Sequence, residues 1–366
     1  MSRLVWTPKT VVERSAGVVV LLLALLGPAI FSGYFTTTIL TQTYIFGIAA
    51  ASLIFLSAYG GMVSLAQTAL MGIAGYVVGN LVTKGGAGGE TKGLILGWDP
   101  TLALVLAIAI TTLIGLILGA VASRSIGIYF LMLTLTFGVI ANYFFGQVTK
   151  LGGFSPIAGI NQYTPGWIGD IVGHPDKLYY IALGVSLFVY VLIRYIVRTP
   201  FGISLQGQRD DPVRLASLGF AVPLHRTLAF GFGAFVASLA GVLFVWWDGQ
   251  ISPQNLGLGA TIDLLIIAVI GGLGRVEGAW LGAFAFIVIN NYVRDIQFPF
   301  ADEKGVLPWV GGSFNTVIGV VFLLIVLLSP GGLMGIWDRV WDAARRRGGP
   351  PHAQSEGSAP AAAPSS

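Results

Sequence analysis

The sequence predicts an all-α, polytopic transmembrane bundle of about ten spans, and three observations predict it. Of the 366 residues, 55% are hydrophobic and only 10% charged, with a mean hydropathy of +0.82. A soluble domain carries about 25% charged residues. Apolar runs long enough to cross lipid recur between Ala16 and Leu328, and an open chain in hydrocarbon satisfies its backbone only as helix. The 51 glycines suit closely packed membrane helices. The chain has no cysteine, which excludes disulfides, thiolate metal sites and thiol catalysis. Its net charge of +4 carries no nucleic-acid signal, because in a membrane protein the placement of Lys and Arg outweighs their sum.

The spans are expected at 16–31, 39–58, 68–82, 101–122, about 128–146, 178–197, 227–247, 260–274, 279–293 and 314–328. Residues 1–15 form an N-terminal tail, 16–330 the membrane domain and 331–366 a basic, then low-complexity tail. The first run follows Arg3, Lys9 and Arg14 as a signal peptide's would. No small-x-small cleavage site follows and the next span begins almost at once, so it is expected to be retained. Gly72, Gly75 and Gly79 lie at helical spacing, as do Gly278 and Gly282, and predict close helix approach. The shorter glycine-broken spans are candidates for re-entrant segments. Polar residues near or within the runs, namely Ser64, Gln67, Thr134, Thr136, Asn142 and Asn290, are candidates for lining a pathway. Most membrane Thr residues bond back to their own helix, and Asn142 is the costlier group to bury.

The longest polar interruption between two strongly apolar runs is 199–226. Arg209, Asp210, Asp211 and Arg214 lie close together in it, with Arg194 and Arg198 before and Arg226 closing it. Gly202 and Gly219 bracket a helix-compatible stretch, 203–218, with Pro212 in its first turns or kinking it. Spacing alone fits a solvated connector as well as a docking surface.

The pattern FG-x-x-L-x-x-x-RDD-x-x-x-x-A-x-x-LG over this segment resembles the coupling loop of the permease subunits of branched-chain amino-acid ABC importers. Tyr59-Gly60-Gly61 with Ser64-Leu65, the stretch RSIGIYFLMLTLTF, Ile251-Ser252-Pro253, Val269-Ile270-Gly271-Gly272-Leu273-Gly274 and Ser329-Pro330-Gly331-Gly332-Leu333 extend the resemblance from 16 to 328. It implies a type II-like permease bundle in the bacterial inner membrane. It also implies two ATP-binding cassette subunits, a second homologous permease subunit and an external substrate-binding protein. The resemblance assigns Gly202, Arg209, Asp210, Asp211, Arg214 and Gly219 to coupling with the ATPase, the arginines in contact with it. The aspartates would cap the helix or pair with those arginines. Arg275 and Glu277 would pair together or touch the same partner. The cargo implied is a branched-chain or other hydrophobic amino acid, with urea or a short amide as the alternative.

Charge placement tests this topology. With both termini inside, the inner loops hold 14 Lys and Arg residues and the outer loops 6, which satisfies the positive-inside rule and puts 199–226 in the cytoplasm. The sequence has no G-x-x-x-x-G-K-[ST] phosphate loop, no H-E-x-x-H and no suggestion of a Ser/His/Asp set. An enzyme is therefore not expected; no metal or cofactor is expected on this chain, and ATP would be held by a partner. An ion-coupled secondary transporter would place ionisable groups within its spans. Here Asp263 is the one clear acid in an apolar run, near its end, and Asp248 sits at a boundary. A structural membrane protein is the third class, which glycine-rich helices alone do not reject.

Overall fold

The computed structural model describes residues 24–30, 32–83, 93–295, 319, 323 and 331–335. The expected spans 16–31 and 314–328, the tails 1–15 and 331–366, and the polar loop 294–312 lie wholly or mostly outside these.

A π-helical lead-in, Phe35–Leu40, runs into α1, Thr41–Gly60. Gly61 ends α1 in the left-handed region at φ +65°, a conformation that glycine adopts without a Cβ penalty. After the non-helical residues 61–66 comes α2, Gln67–Val82. Its 16 residues rise about 24 Å, short of a hydrocarbon core of about 30 Å. The shortfall is tolerated because 14 of the 16 are buried in protein rather than exposed to lipid. Asp99 caps α3, Pro100–Ala122, by accepting from the Thr101 N–H at 2.8 Å. Gly127, at φ +60°, turns the chain into α4, Ile128–Gln147. Then come α5, Pro175–Arg198; α6, Pro200–Asp210; α7, Pro212–Ser217; α8, Val222–Asp248; α9, Leu258–Gly271; and α10, Gly278–Asp295.

Five of these stretches are long and apolar enough to cross a membrane: Phe35–Gly60, α3, α4, α5 and α8. α2, α9 and α10 are shorter apolar helices. The long ones divide by environment: in their most apolar 18-residue stretches 78% of the residues of Phe35–Gly60 and of α8 are buried, against 22% in α3, α4 and α5. A core of α1, α2 and α8 is thus wrapped by more exposed helices. The glycines expected to permit close approach do so. Gly75 faces Val245 and Ile251, Gly79 faces Ile160, and a side chain at Gly241 would run into the Met71 carbonyl of α2.

The helices alternate in direction and sort the connections to two ends. One end gathers Gly61, the turn 123–127, α6–α7 and the turn 272–278. The other carries a two-residue antiparallel pair, β1 Ile157–Ala158 with β2 Gln250–Ile251. That pair is a small departure from an all-α fold.

A larger correction concerns 203–218, expected as one helix between Gly202 and Gly219. It is two helices, and the first starts earlier, at Pro200, with Thr199 as its cap. Pro212 disfavours helical geometry in the residue before it. Asp211 is accordingly extended, at φ −153° and ψ 94°, and separates α6 from α7.

Candidate functional site: the α6–α7 elbow and its roots

The elbow is built by local capping. The Asp211 Oδ1 accepts from the Val213 and Arg214 N–H groups, each at 3.0 Å, so this aspartate closes the exposed start of α7. Asp210 instead pairs with Arg209, whose Nε and Nη2 both donate to its Oδ1 at 3.0 Å. The two side chains are 45% and 67% exposed, so that pair contributes about 0–1 kcal/mol. Gly219, at φ +89° with open space around it, turns the chain after α7. Gly202 is buried where α6 doubles back on α5; any side chain there would meet the backbone of Ile196 and Val197. Its glycine serves that internal fold-back, a role distinct from the contact surface.

Three contacts root the elbow in the bundle. Arg209 Nη1 donates to the Ala58 carbonyl at the end of α1, at 2.6 Å. Leu205 is fully buried, next to Gly60. Gln208 is 1% exposed. With its amide oriented to satisfy both neighbours, it donates to the Val222 carbonyl at 3.3 Å and accepts from Arg226 Nε at 3.2 Å. Arg226 Nη1 reaches the Ser123 and Ser125 carbonyls, at 3.4 and 3.3 Å, just past the end of α3. One short helix therefore grips α1 and α8 directly, and Arg226 of α8 links it onward to the end of α3. Next to it, Glu277 accepts from Tyr190 at 3.1 Å and faces Arg194 at 3.4 Å, both on α5.

The outward side of the elbow differs. Ile203, Val213 and Leu218 are 63%, 78% and 69% exposed, and Arg214 is exposed among them.

Of the pathway candidates, Ser64, Gln67 and Thr134 come together. All three are fully buried. Gln67 Oε1 accepts from Ser52 at 3.1 Å and its Nε2 approaches Ser64 Oγ at 3.5 Å. Thr134 accepts from the Leu65 N–H at 3.1 Å, in the break between α1 and α2. Thr136 is exposed and bonds back to the Met132 carbonyl. Asn142 is tied to the Pro253 carbonyl at 2.6 Å, near the β1–β2 end. Asn290 is half-buried late in α10. These last three do not bond into the cluster. Asp263 is exposed, and Asp248 sits at the end of α8.

Sequence reading missed Arg226 as a site residue, taking it as the basic end of a loop. It is the one charged side chain among the described residues that is buried, at 8% exposure. Its only sequence signal was its position at the start of an apolar run.

Five helices long and apolar enough to cross a membrane, packed around a buried core, define a multi-pass membrane protein. The comparisons make this specific: the chain belongs to the family described as branched-chain amino acid transport system, permease component, which matches residues 35–328. It is 26% identical over 253 residues to the high-affinity branched-chain amino acid transport system permease protein LivM of Salmonella typhimurium. That match covers 63% of this chain and 56% of the relative. It is 22% identical over 242 residues to a probable LivM of Methanocaldococcus jannaschii, covering 63% and 68% of the two chains. It is also 29% identical over 231 residues to the autoinducer 2 import system permease protein LsrC of Photorhabdus laumondii, covering 55% and 65%. The chain thus spans little more than half the length of the Salmonella relative. No solved structure matches it.

Proposed function

We propose that this chain is one of two permease subunits of an ATP-driven importer, and that α6–α7 is where the ATPase subunits push. The observation that carries this is the outward face of the elbow. Ile203, Val213 and Leu218 stand exposed on a segment bearing Arg209, Asp210, Asp211 and Arg214. Four charges do not enter hydrocarbon, so these apolar tips face water unless a soluble partner covers them. The roots in α1 and α8, with Arg226 linking onward to the end of α3, supply the other half of the device, because they carry displacement of α6 into the bundle. With 14 basic residues on that side against 6 on the other, the elbow is cytoplasmic, as are both termini.

The cargo proposed is a branched-chain or other hydrophobic amino acid, brought by an external binding protein, by analogy with the LivM relatives. A urea or short-amide importer is the alternative drawn from the sequence resemblance. The LsrC relatives support a second reading, import of autoinducer 2. ATP would be held and hydrolysed by the partner subunits. The absence of buried acids among the described residues favours this mechanism over ion coupling, which needs a titrating group in the membrane.

The test is Val213→Glu, which puts a charge on the most exposed apolar tip without touching the roots. ATPase subunits are expected to be lost from the purified complex while the permease stays monodisperse. Full retention of the ATPase with normal leucine uptake contradicts the docking role.

A further inference from the structure

A cavity of about 200 Å³ opens beside Arg226 at the elbow's end of the bundle, walled by Met62, Val63, Ser125, Gly127 and Phe130. It is smaller than the roughly 300–1,000 Å³ of drug-sized ligand sites, which limits it to a single small solute. Two features give it a positive character. Arg226 is more than nine-tenths buried, and its hydrogen bonds among the described residues go only to neutral acceptors, through Nη1 and Nε. No carboxylate pairs with it there. The negative end of α3 offsets part of the charge. The second feature is the N-terminus of α4, a 20-residue helix whose first turn has no side-chain cap and whose Ile128 and Phe130 line the same cavity. A positive helix end and a guanidinium compensated only in part repel each other across one space. An anion between them turns the repulsion into attraction and uses N–H groups left free by both.

The cavity also has a place in the fold. Ser64 follows Val63 directly, and Thr134 bonds to the carbonyl of Leu131, another wall residue. The cavity therefore lies at the inner end of the buried Ser64–Gln67–Thr134 cluster. Met62 and Phe130 give it apolar walls. Arg226 is joined through Gln208 to α6, the helix on which the ATPase is proposed to act.

We propose that this cavity is a release site for the cargo, with Arg226 and the first turn of α4 holding the carboxylate of a hydrophobic amino acid and Met62 and Phe130 taking its side chain. The inference rests on the amino-acid reading above. It adds that the carboxylate is recognised on the way out, and that movement of α6 reaches the site through Gln208.

The chain has no cysteine, so Val63→Cys gives this subunit a single thiol, in the cavity wall, and labelling is read on this subunit's band. In the assembled transporter in lipid nanodiscs, L-leucine is expected to slow maleimide labelling of that thiol in a concentration-dependent way. Leucinamide, which lacks the carboxylate, is expected not to. Arg226→Gln should raise the half-protecting leucine concentration about tenfold or more, the worth of a charge-assisted hydrogen bond, with Arg226→Lys between the two. Equal protection by leucine and leucinamide, equal protection by inorganic phosphate, or a thiol that never labels overturns the proposal. The leucinamide and phosphate arms use unmutated Arg226, so a misfolded Arg226→Gln chain does not decide the matter. ATP-driven leucine uptake by the same complex is scored separately. Uptake without protection overturns this site alone; absence of uptake overturns the amino-acid reading and the site with it.

Discussion

Arg209→Met separates transmission from docking. The arginine stem lies against Gly61, where an added Cβ would come within 2.7 Å of its Cγ, and methionine keeps an unbranched stem there. What the change removes is the 2.6 Å bond from Nη1 to the Ala58 carbonyl and the pairing with Asp210. A hydrogen bond to a charged group contributes about 1.5–3 kcal/mol when buried. Here the arginine side chain is 45% exposed, and the Asp210 pair is a surface pair contributing about 0–1 kcal/mol. Discounted for solvent, the loss is about 1 kcal/mol, or about fivefold in the equilibrium that ties α6 to α1. The outward apolar tips are untouched, so ATPase subunits should co-purify normally. In proteoliposomes loaded with ATP, leucine taken up per ATP hydrolysed should fall by about fivefold. Unchanged uptake per ATP refutes the idea that Arg209 transmits the push. Loss of the ATPase instead returns Arg209 to the docking surface, as the sequence resemblance has it.

Asp211→Ala should fray α7 and weaken ATPase binding, at a cost of about 1 kcal/mol for a lost cap, with Asp211→Asn largely restoring it; co-purification and amide exchange over 212–217 measure both. Gly241→Ala drives a Cβ into the Met71 carbonyl, a backbone atom with little room to yield, and should destabilise the bundle by about 1–3 kcal/mol. A lowered thermal unfolding midpoint in detergent reads this, and an unchanged midpoint contradicts the packing described. Glu277→Gln removes a partly exposed ion pair with Arg194 and should shift stability by no more than about 1 kcal/mol.

Most of the bundle was legible because apolar run length is a local property. The helices α1, α3, α5 and α8 were expected within a few residues of where they lie, and glycines at helical spacing on α2 announced their close contacts. For the aspartates the sequence offered capping or pairing without dividing the roles; the structure divides them, Asp211 preceding a helix start and Asp210 adjoining Arg209. The break at Pro212 was visible as a choice between an early turn and a kink, but the extended Asp211 that makes two helices was not chosen. Arg226 was not legible. Its burial depends on carbonyls about a hundred residues earlier in the chain and on Gln208 folding back from α6, and no run or spacing reports such meetings. Thr134, Thr136 and Asn142 illustrate the same limit. All three lie in one apolar run, yet they point respectively into the core, outward and toward a distant turn.

The central claim is that force from ATP enters through the elbow, and a photo-crosslinking amino acid at position 213 in native membranes tests it most directly. The account predicts an adduct with an ATP-binding cassette subunit whose yield changes between nucleotide-free and ATP-trapped states. Adducts with lipid alone, or with a protein on the external face, contradict it.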